Sequence, residues 1–434
     1  MSNREYQVPA ARAGGKKFEL LWRWNRRNRD RGANRYAIAV MKILISGAGI
    51  AGPTLAYWLL KYGFEPTIVE RAPQLRTGGY IIDFWGAGYE IAERMGLIPE
   101  LLGKGYRAQE AWTVNTKGEK IAGFSVQSFA RVMGGRYISL ARGDLAASIY
   151  GKIEGQIETI FGDSIKGIEQ TDHNVRVCFE KEIPRNFDLV VGADGLHSKV
   201  RELVFGAERN FEKYLDCKVA AFSLRGYRPR DELVYVMYTQ IGQQVSRFAM
   251  HDDRTLFLFT FGDRSVESAE DAQTQKELLR RRFGNSGWEC AQILDRLEDT
   301  TDFYFDRVSQ IRMNTTQGLW TRGRVALLGD AAFCVSLLAG QGSALAMLAA
   351  YILAGELQRA RDDHTVAFTR YNELLGPFIA SKQEAALRLI GFFAPKSQLS
   401  LWIRNQIMNL MKWPWIADLA MGRDLADKIE IPSY

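Results

Sequence analysis

The residues with the clearest chemical potential lie in one glycine-rich turn and in the acid that follows it. Gly47-Ala48-Gly49-Ile50-Ala51-Gly52 has the GxGxxG spacing, and Glu70 comes about 20 residues later. In this pattern the first glycine allows a tight turn, the second lets a pyrophosphate approach the backbone, and the third lets a helix pack on a strand. The helix N-terminus offers amides to the phosphates, and the acid can accept both hydroxyls of an adenosine ribose. The pattern therefore predicts a dinucleotide site.

The sequence on both sides of this turn supports that prediction. The context matters because a chain with 40 glycines can contain the spacing by chance. KILIS (42–46) is typical of a buried parallel strand, TLAYWLLKYG (54–63) of a helix that ends at a glycine, and EPTIVER (65–71) of a second strand. This order is a βαβ unit, and a tight turn without a ligand is the other interpretation. Glu70 would repel a 2′-phosphate, so NADP is not expected in this site.

Two later motifs place an acid at the end of a predicted strand. DGxxSxxR begins at Asp194, and GDAA (329–332) is followed by AGQG (339–342). Such acids can bond sugar or ribityl hydroxyls, and amides at the start of a helix over 343–355 can stabilise the negative charge of a reduced flavin. Taken singly, Asp194 and Asp330 could instead cap helices. The three motifs in this order indicate FAD.

The elements that must position these motifs predict an α/β protein, α+β overall. We expect a Rossmann-like FAD-binding domain, an inserted and mostly antiparallel β-sheet domain for the substrate, and C-terminal helices. The alternating pattern of the insert contrasts with the apolar strands on either side of it. The predicted divisions are a basic, disordered extension over 1–40, a discontinuous FAD-binding domain over 41–205 and 318–375, a substrate-binding sheet domain over 206–317, and a C-terminal helical segment over 376–434.

The net charge of +7 lies entirely in the N-terminal extension. Residues 1–40 carry 10 Lys or Arg and 3 Asp or Glu, so the remaining chain is neutral. No nucleic-acid partner is therefore expected for the folded body. For the extension itself, with WRWNRRNRDRGANRY at 22–36, three interpretations stand: an added or upstream-start segment, an anchor to an anionic surface, and a transit-like segment.

Cysteine and histidine spacing indicates neither a disulfide framework nor a metal site. The four cysteines read as buried thiols of a reducing compartment, so we expect a cytoplasmic protein. They are Cys178, Cys217, Cys290 and Cys334. The histidines lack metal-ligand spacing, so no metal is expected. They are His173, His197, His251 and His364. The apolar run 335–354 approaches the length of a membrane span, but its glycines at 340 and 342 favour a buried helix.

Taken together, the motifs resemble the flavoprotein aromatic hydroxylases of the p-hydroxybenzoate hydroxylase type. The resemblance covers about residues 41–360 and rests on GAGIAG with Glu70-Arg71, on RGDL from Arg142, on GADGLHSKVR, and on GDAAF with AGQG. Within that family, the stretch from Arg76 to Leu97 most resembles the tetracycline-inactivating monooxygenases and related antibiotic hydroxylases. The resemblance implies FAD as cofactor, with NADPH or NADH and O₂ as co-substrates.

The resemblance also implies site residues. Asp83, Arg142, Asp330 and 340–343 match FAD-contacting positions, and Arg142 at a helix start could pair with pyrophosphate. Arg76 matches a position implicated in NADPH binding, and an ordinary exposed arginine is an equally good interpretation. The candidate FAD-binding residues are Gly47, Gly49, Ile50, Ala51, Gly52, Glu70, Arg71, Asp83, Arg142, Asp194, Asp330, Gly340, Gln341, Gly342 and Ser343.

The chain departs from the family in the loop before AGQG. Family members commonly read GDAAH with two prolines after it, whereas this chain has Phe333, Ser336 and Leu337 at those positions. That loop borders the reactive face of the flavin in the family, so we expect a pocket of different shape. The WxWxIP pattern of the related halogenases is absent from the body of the chain; Trp413-Pro414-Trp415 differs in place and order.

These observations predict an FAD-dependent monooxygenase that hydroxylates a flat aromatic or polyketide-like small molecule through a flavin C4a-hydroperoxide. The flavin performs the chemistry, so no catalytic side chain is expected. The substrate would lie between the flavin and the inserted sheet, with Arg225 and Arg247 as candidate polar anchors. Aromatic residues of the insert suit either this pocket or the core. They are Phe222, Tyr235, Tyr238, Phe248, Phe257 and Phe259.

Two other functions remain open at this point. One is an FAD-dependent reductase or dehydrogenase without oxygen insertion. The other is a non-catalytic FAD-binding protein associated with a membrane through the basic extension and LWIRNQIMNLMKWPW (401–415). A C-terminal helix packed across both domains is the favoured interpretation of that last segment. The sequence leaves the oligomeric state open.

Overall fold

The computed structural model describes residues 40–76, 80–265, 271–313, 319–361, 363–411, 413 and 429–434. The basic extension, apart from Val40, lies outside the described residues, and so do Gly78 and Gly79. The three interpretations of that extension stay predictions.

A six-stranded sheet forms one half of the molecule. Its order is β17-β18-β11-β1-β2-β7, and every pairing is parallel except that of β17 with β18. The strands are β1 (Lys42–Ser46), β2 (Glu65–Glu70), β7 (Glu158–Phe161), β11 (Leu189–Gly192), β17 (Thr321–Arg322) and β18 (Val325–Leu327). The carboxyl ends of the central strands therefore meet at one edge of the sheet.

The predicted βαβ unit lies at the centre of this sheet. Ile43, Leu44 and Ile45 are fully buried in β1, as expected for a strand covered on both faces. The glycine turn leads into helix α1 (Ala51–Lys61), which packs back onto the sheet and returns the chain to β2. The predicted Rossmann-like core is thus confirmed.

A second, seven-stranded sheet lies in the order β16-β12-β15-β14-β13-β4-β5. Its pairings are antiparallel except for β13 with β4. The strands are β4 (Glu110–Val114), β5 (Lys120–Ser125), β12 (Glu212–Arg225), β13 (Val234–Gln240), β14 (Gln243–Ala249), β15 (Arg254–Gly262) and β16 (Tyr304–Ile311). The sheet therefore recruits residues 110–125 in addition to the segment 206–317 that the sequence pattern indicated. The link is the parallel pairing of β4 with β13.

Two smaller sheets and the remaining helices complete the described fold. The small sheets are β3 (Ile81–Trp85) with β6 (Tyr137–Ala141), and β10 (Arg185–Phe187) with β9 (Val175–Phe179) and β8 (Ile165–Gln170). The other helices are α2 (Gly86–Arg94), α3 (Ile98–Lys104), α4 (Val126–Val132), α5 (Arg142–Tyr150), α6 (Lys199–Phe205), α7 (Ala272–Phe283), α8 (Cys290–Asp295), α9 (Asp330–Phe333), α10 (Gly342–Arg359), α11 (His364–Phe393) and α12 (Gln398–Leu410).

The two faces of the seven-stranded sheet separate its aromatic residues. Alternation along the strands sends Phe222, Tyr238, Phe257 and Phe259 to the face covered by α7 and α8, where they form a core. Tyr235 and Phe248 lie on the opposite face, in a cluster with residues of β6 and α12. The first group is therefore structural, and the second faces the half of the molecule that contains the glycine turn.

The apolar run near residue 340 becomes helix α10 in the interior. Its residues from Ala344 to Leu357 are buried against α1, α2 and α11. Within the described residues, no helix combines the length and the apolar character that a membrane span requires. The prediction of a buried helix is confirmed.

Helix α12, from the segment that the sequence left ambiguous, packs on β5 of the seven-stranded sheet. Its own residues Arg404 and Met408 are buried on the side that faces the sheet. Trp402 lies on its outer side and is 59% exposed. The helix thus covers the sheet with one face.

The C-terminal residues 429–434 dock on α10. The Tyr434 ring lies 5.2 Å from the Tyr351 ring and 4.7 Å from the Arg359 guanidinium carbon, and its hydroxyl donates to Glu356 at 2.6 Å. A Cβ at Gly355 would lie 2.1 Å from the Tyr434 ring. The contact therefore requires glycine at this position.

We expect Gly355→Ala to lower the free energy of unfolding by about 2–4 kcal/mol, because the ring must leave and the buried Glu356 carboxylate loses the hydroxyl as one of its two donors, the other being Arg359. Tyr434→Phe removes only the hydroxyl and should cost about 1 kcal/mol. Urea denaturation of both variants measures these costs. Wild-type stability of Gly355→Ala would show that this tail is not docked.

Candidate functional site

A cavity of about 1240 Å³ opens between the carboxyl ends of β1, β2 and β11 and the seven-stranded sheet. All three sequence motifs contribute to its wall. The predicted site residues on the wall are Gly47, Gly49, Ile50, Ala51, Glu70, Arg71, Arg76, Arg142, Asp194, Arg225, Asp330, Gly340, Gly342 and Ser343. The wall does not include Gly52, Asp83, Gln341 or Arg247.

The glycines of the turn have different physical roles. Gly47 has φ +107°, and a Cβ there would lie 2.5 Å from the Ala193 carbonyl oxygen. A Cβ at Gly52 would lie 2.0 Å from the Gly47 oxygen, so this glycine allows α1 to pack close to the turn. A Cβ at Gly49 would meet only the Arg142 guanidinium, at 3.6 Å. Gly47 and Gly52 are thus needed by the fold, whereas Gly49 leaves open space on the cavity side.

Glu70 lies beside the glycine turn, at the end of β2. One carboxylate oxygen accepts from the Ala48 amide and the other from the Ala72 amide, both at 2.8 Å. A carboxylate has about four acceptor positions, so capacity for ligand hydroxyls remains. The structure therefore gives Glu70 a role in bracing the turn and places it on the cavity wall, and its bonds to an adenosine ribose stay a prediction.

Asp194 caps helix α6. Its carboxylate accepts from the Ser198 hydroxyl at 2.5 Å and from the amides of Lys199 and Val200 at 2.8 and 3.1 Å. Burial raises the pKa of Asp194 above its usual value, although these donors act in the opposite direction. The helix-capping interpretation thus describes Asp194 even though the residue lies on the cavity wall.

The arginine of the same motif joins two parts of the site. Arg201 is fully buried, pairs with Glu208 at 2.7 Å and donates to the Ala331 carbonyl at 3.0 Å. Because Ala331 follows Asp330, this bond ties α6 to the second acid-bearing segment. The DGxxSxxR pattern therefore fixes the backbone of the site.

Asp330 differs from Asp194 because its side chain caps no helix. Its carboxylate faces the start of α10, where a Cβ at Gly342 would lie 3.5 Å from one of its oxygens. Burial raises the pKa of Asp330, and the positive charge of Arg142 opposes that rise. Asp330, Arg142 and the α10 N-terminus therefore form one polar region of the wall.

Asp83 lies at a junction between sheets, away from the cavity wall. One oxygen accepts hydrogen bonds from the hydroxyls of Tyr137 (2.6 Å), Ser139 (2.7 Å) and Tyr235 (3.0 Å). Burial first, and then the Asp83 charge, holds the pKa of both tyrosines well above its usual range. Ile82 lines the cavity instead, since neighbouring residues of β3 point to opposite faces.

The two candidate anchor arginines lie on opposite faces of the seven-stranded sheet. Arg225 borders the main cavity. Arg247 is buried beside a second cavity of about 430 Å³, where it pairs with Asp231 at 2.7 Å and Glu289 at 3.0 Å. These ion pairs use the charge of Arg247 within the fold. The structure brings only Arg225 to the cavity that holds the motifs.

The cavity wall also contains residues that the sequence patterns did not single out. Arg254 is the cross-strand partner of Arg225. His197 lies 2.9 Å from Glu208 and 3.4 Å from Asp306, and its hydrogen bonds to these two carboxylates raise its pKa to about 10. Local sequence patterns did not mark these two residues, because their places on the wall depend on strand register and on contacts between residues that are distant in sequence. Further residues of this kind are Tyr80, Tyr304, Ser309 and Ser336.

The cavity fits a flavin dinucleotide. The glycine turn and Glu70 offer amides and acceptors at one end, and Gly49 leaves open space for a phosphate. The wall then continues past Asp330 and the start of α10 to the seven-stranded sheet. A long cavity that is polar at one end and both polar and apolar at the other suits an extended cofactor with one charged and one aromatic end.

Comparison with known proteins agrees with this geometry. The family model described as FAD binding domain matches residues 149–364. A flavin-dependent monooxygenase from an unknown prokaryotic organism is 35% identical over 396 residues, which is 91% of this chain and 99% of that protein. The crystal structure of tetracycline destructase Tet(55) has a TM-score of 0.77 at 34% identity, with 91% of this chain and 99% of that chain covered.

A more distant structure shows the same fold. Klebsiella pneumoniae HpxO, complexed with FAD and uric acid, has a TM-score of 0.75 at 21% identity and covers 91% of this chain and 100% of that chain. These likenesses and the family match confirm the predicted flavoprotein fold and FAD as the cofactor.

We expect Gly49→Ala to fold normally and to bind FAD at least about tenfold more weakly, because its methyl group occupies the space open to the phosphates. Its free energy of unfolding as apoprotein should stay within about 0.5 kcal/mol of the wild-type value. Gly47→Ala is the matched comparison and should destabilise the apoprotein by about 2 kcal/mol or more. Flavin-fluorescence titration and urea denaturation measure the two effects. Wild-type FAD affinity of Gly49→Ala would contradict this assignment.

Proposed function

Since the chain belongs to the family of flavin-dependent monooxygenases, we propose that it inserts one oxygen atom of O₂ into a flat, multi-ring phenolic or enolic substrate, with NADPH or NADH as reductant. The enzyme is an FAD-dependent oxidoreductase. The observation that carries the proposal is a single cavity that extends from the dinucleotide motifs to the seven-stranded sheet. Its volume of about 1240 Å³ exceeds the range of about 300–1,000 Å³ for a typical small-molecule pocket. That size accommodates a substrate beside the cofactor.

When bound, FAD supplies electron transfer and oxygen activation. The residues of this chain bind and orient the cofactor and the substrate, and they shield both from water. Gly49 and the α1 N-terminus line the cavity and would hold the phosphates, and the first residues of α10 also line it and would offer amides to the part of the cofactor that gains negative charge on reduction. Asp330 and Arg142 border that region and are candidates for bonds to the polar chain of the cofactor. The seven-stranded sheet closes the far side and limits the access of water.

The proposed substrate anchor is the pair Arg225 and Arg254. These residues face each other directly across β12 and β15, so both side chains lie on the same face of the sheet and on the cavity wall. Neither guanidinium forms an ion pair within the parts of the chain that the structure describes. Like charges directly opposite each other in a sheet are unfavourable unless an anion lies between them. An ionised phenol, enol or carboxylate would supply that anion.

The part of the cavity around Arg225 and Arg254 also indicates the class of substrate. Multi-ring polyketides combine a flat apolar body with enolic oxygens that ionise near neutral pH, and this combination suits a cavity that offers the rings of Tyr80, Phe303 and Tyr304 together with the guanidinium groups of this pair. The similarity to a tetracycline destructase supports the same choice. We therefore place tetracyclines first among the candidate substrates.

Arg76 is the candidate for the reductant. Its side chain is exposed at the edge of the cavity near the glycine turn, where it can reach the phosphates of NADPH or NADH. No second GxGxxG pattern stands elsewhere in the sequence, which supports brief binding at the cavity edge.

We expect the purified protein to be yellow, to consume NADPH or NADH with O₂, and to add one oxygen atom to at least one member of a panel of tetracyclines, quinolones and simple phenols. Visible spectroscopy, oxygen uptake and product mass spectrometry measure these outcomes. Reductant oxidation with all oxygen recovered as hydrogen peroxide, for every compound, would contradict oxygen insertion and favour a reductase.

For the anchor, we expect Arg225→Gln and Arg254→Gln each to raise the KM of an accepted anionic substrate roughly tenfold, the size of one bond to a charged group, with little change in kcat. The exposed Arg209, which lies outside the cavity wall, provides the control Arg209→Gln with an unchanged KM. Steady-state kinetics at saturating reductant give both parameters. An unchanged KM in both anchor variants, or an equal rise for a neutral substrate, would exclude the anchor.

A further inference from the structure

The Ser336 hydroxyl is a buried polar group without a partner on the cavity wall. The residue is 2% exposed, and its Oγ has no hydrogen-bond partner within the described residues. Native proteins satisfy nearly all buried polar atoms, because an unpaired hydroxyl loses its hydration without compensation. Since Ser336 borders the cavity, a bound ligand can supply the missing partner.

The backbone of Ser336 is also unusual. It has φ +136° and ψ +138°, a conformation that side chains with a Cβ rarely adopt. Such strained residues persist only where the surrounding structure determines them, and they cluster at functional sites. Ser336 lies on the cavity wall, so its strained backbone indicates a role at this site.

Two buried glutamines hold this segment. Gln310 donates to the Val335 carbonyl at 2.9 Å and to the main-chain carbonyl of Gln383 at 2.8 Å. Gln383 in turn donates to the Cys334 carbonyl at 3.3 Å. These bonds fix the carbonyls of the two residues that precede Ser336.

The strand order shows which end of the cofactor lies near Ser336. The glycine turn follows β1, and Glu70 ends β2, so the adenosine end of a bound FAD would lie on this side of the sheet. Ser336 follows α9 after β18, which lies on the opposite side of β1 beyond β11. There the cavity continues to Tyr304 and Ser309 of the seven-stranded sheet. An extended FAD molecule therefore places its ring end near Ser336.

We propose that Ser336 donates a hydrogen bond to the isoalloxazine ring of the bound FAD and thereby favours its reduced form. A donor at the ring stabilises the negative charge that reduction adds, together with the first amides of α10. Gln310 and Gln383 are positioning residues that hold the hydroxyl in place. The aromatic hydroxylases that the chain resembles commonly carry proline here, and proline has no hydroxyl.

This inference rests on the proposed function only for its cofactor. Its test compares two variants of the FAD-loaded enzyme. Ser336→Ala removes the hydroxyl and keeps the strained backbone, whereas Ser336→Gly removes the hydroxyl and relaxes the backbone. We expect both to shift the equilibrium between oxidised and reduced flavin about tenfold toward the oxidised form, which lowers a two-electron midpoint potential by about 30 mV. Both should also shift the visible absorption band in the same direction.

The controls separate the hydroxyl from general effects. Ser286→Ala removes a hydroxyl outside the cavity that accepts from Gln243 at 2.9 Å, and it should leave the potential unchanged. Gln383→Met should lower the potential by part of the same amount while FAD stays bound.

Two results would overturn the proposal. A shift in Ser336→Gly with none in Ser336→Ala would assign the effect to the backbone, and unchanged potentials in both would exclude the contact. The potential requires no substrate. A protein that oxygenates no compound of the panel would thus contradict the proposed function and leave the Ser336 test intact.

Discussion

The parallel alignment of β1, β2, β11 and β18 is the constraint on which the site depends. Parallel strands bring their carboxyl ends to one edge, so the glycine turn, Glu70, Asp194 and the Asp330 segment meet there although they are far apart in sequence. The turn itself depends on two glycines, since a Cβ at Gly47 or Gly52 would collide with main-chain atoms. The cavity exists because backbone packing forces these ends together.

Polar bonds across the boundary hold the second sheet against this edge. Asp83 accepts from Tyr137 and Tyr235 and so joins β3 and β6 to β13. On the other side, Glu208 receives both Arg201 and His197, and His197 also approaches Asp306 of β16. Buried hydroxyl and carboxylate networks of this kind are rigid when satisfied. They join the second sheet to the edge of the first, on either side of the cavity.

Asp194 and Asp330 occur in similar motifs but have different surroundings in the structure. Asp194 and Asp330 each follow a strand and precede or begin a helix, and each could cap a helix or face a ligand. The structure gives the capping bonds to Asp194 and leaves the Asp330 carboxylate facing the start of α10. The difference depends on the neighbouring backbone. The same holds for Ser336, whose strained backbone depends on glutamines from β16 and α11.

The sequence by itself determined the βαβ unit, the order of the three motifs and the FAD-binding fold, because strand periodicity and glycine spacing are local properties. It also separated the charged N-terminal extension from a neutral body. Only the tertiary structure decided that Arg225 borders the cavity while Arg247 is paired elsewhere, that β4 and β5 join the seven-stranded sheet, and that Asp83 lies at the sheet junction. These outcomes depend on strand register and on which face of a strand meets the other sheet. A shift of one residue would exchange the two faces, and no local pattern records that choice.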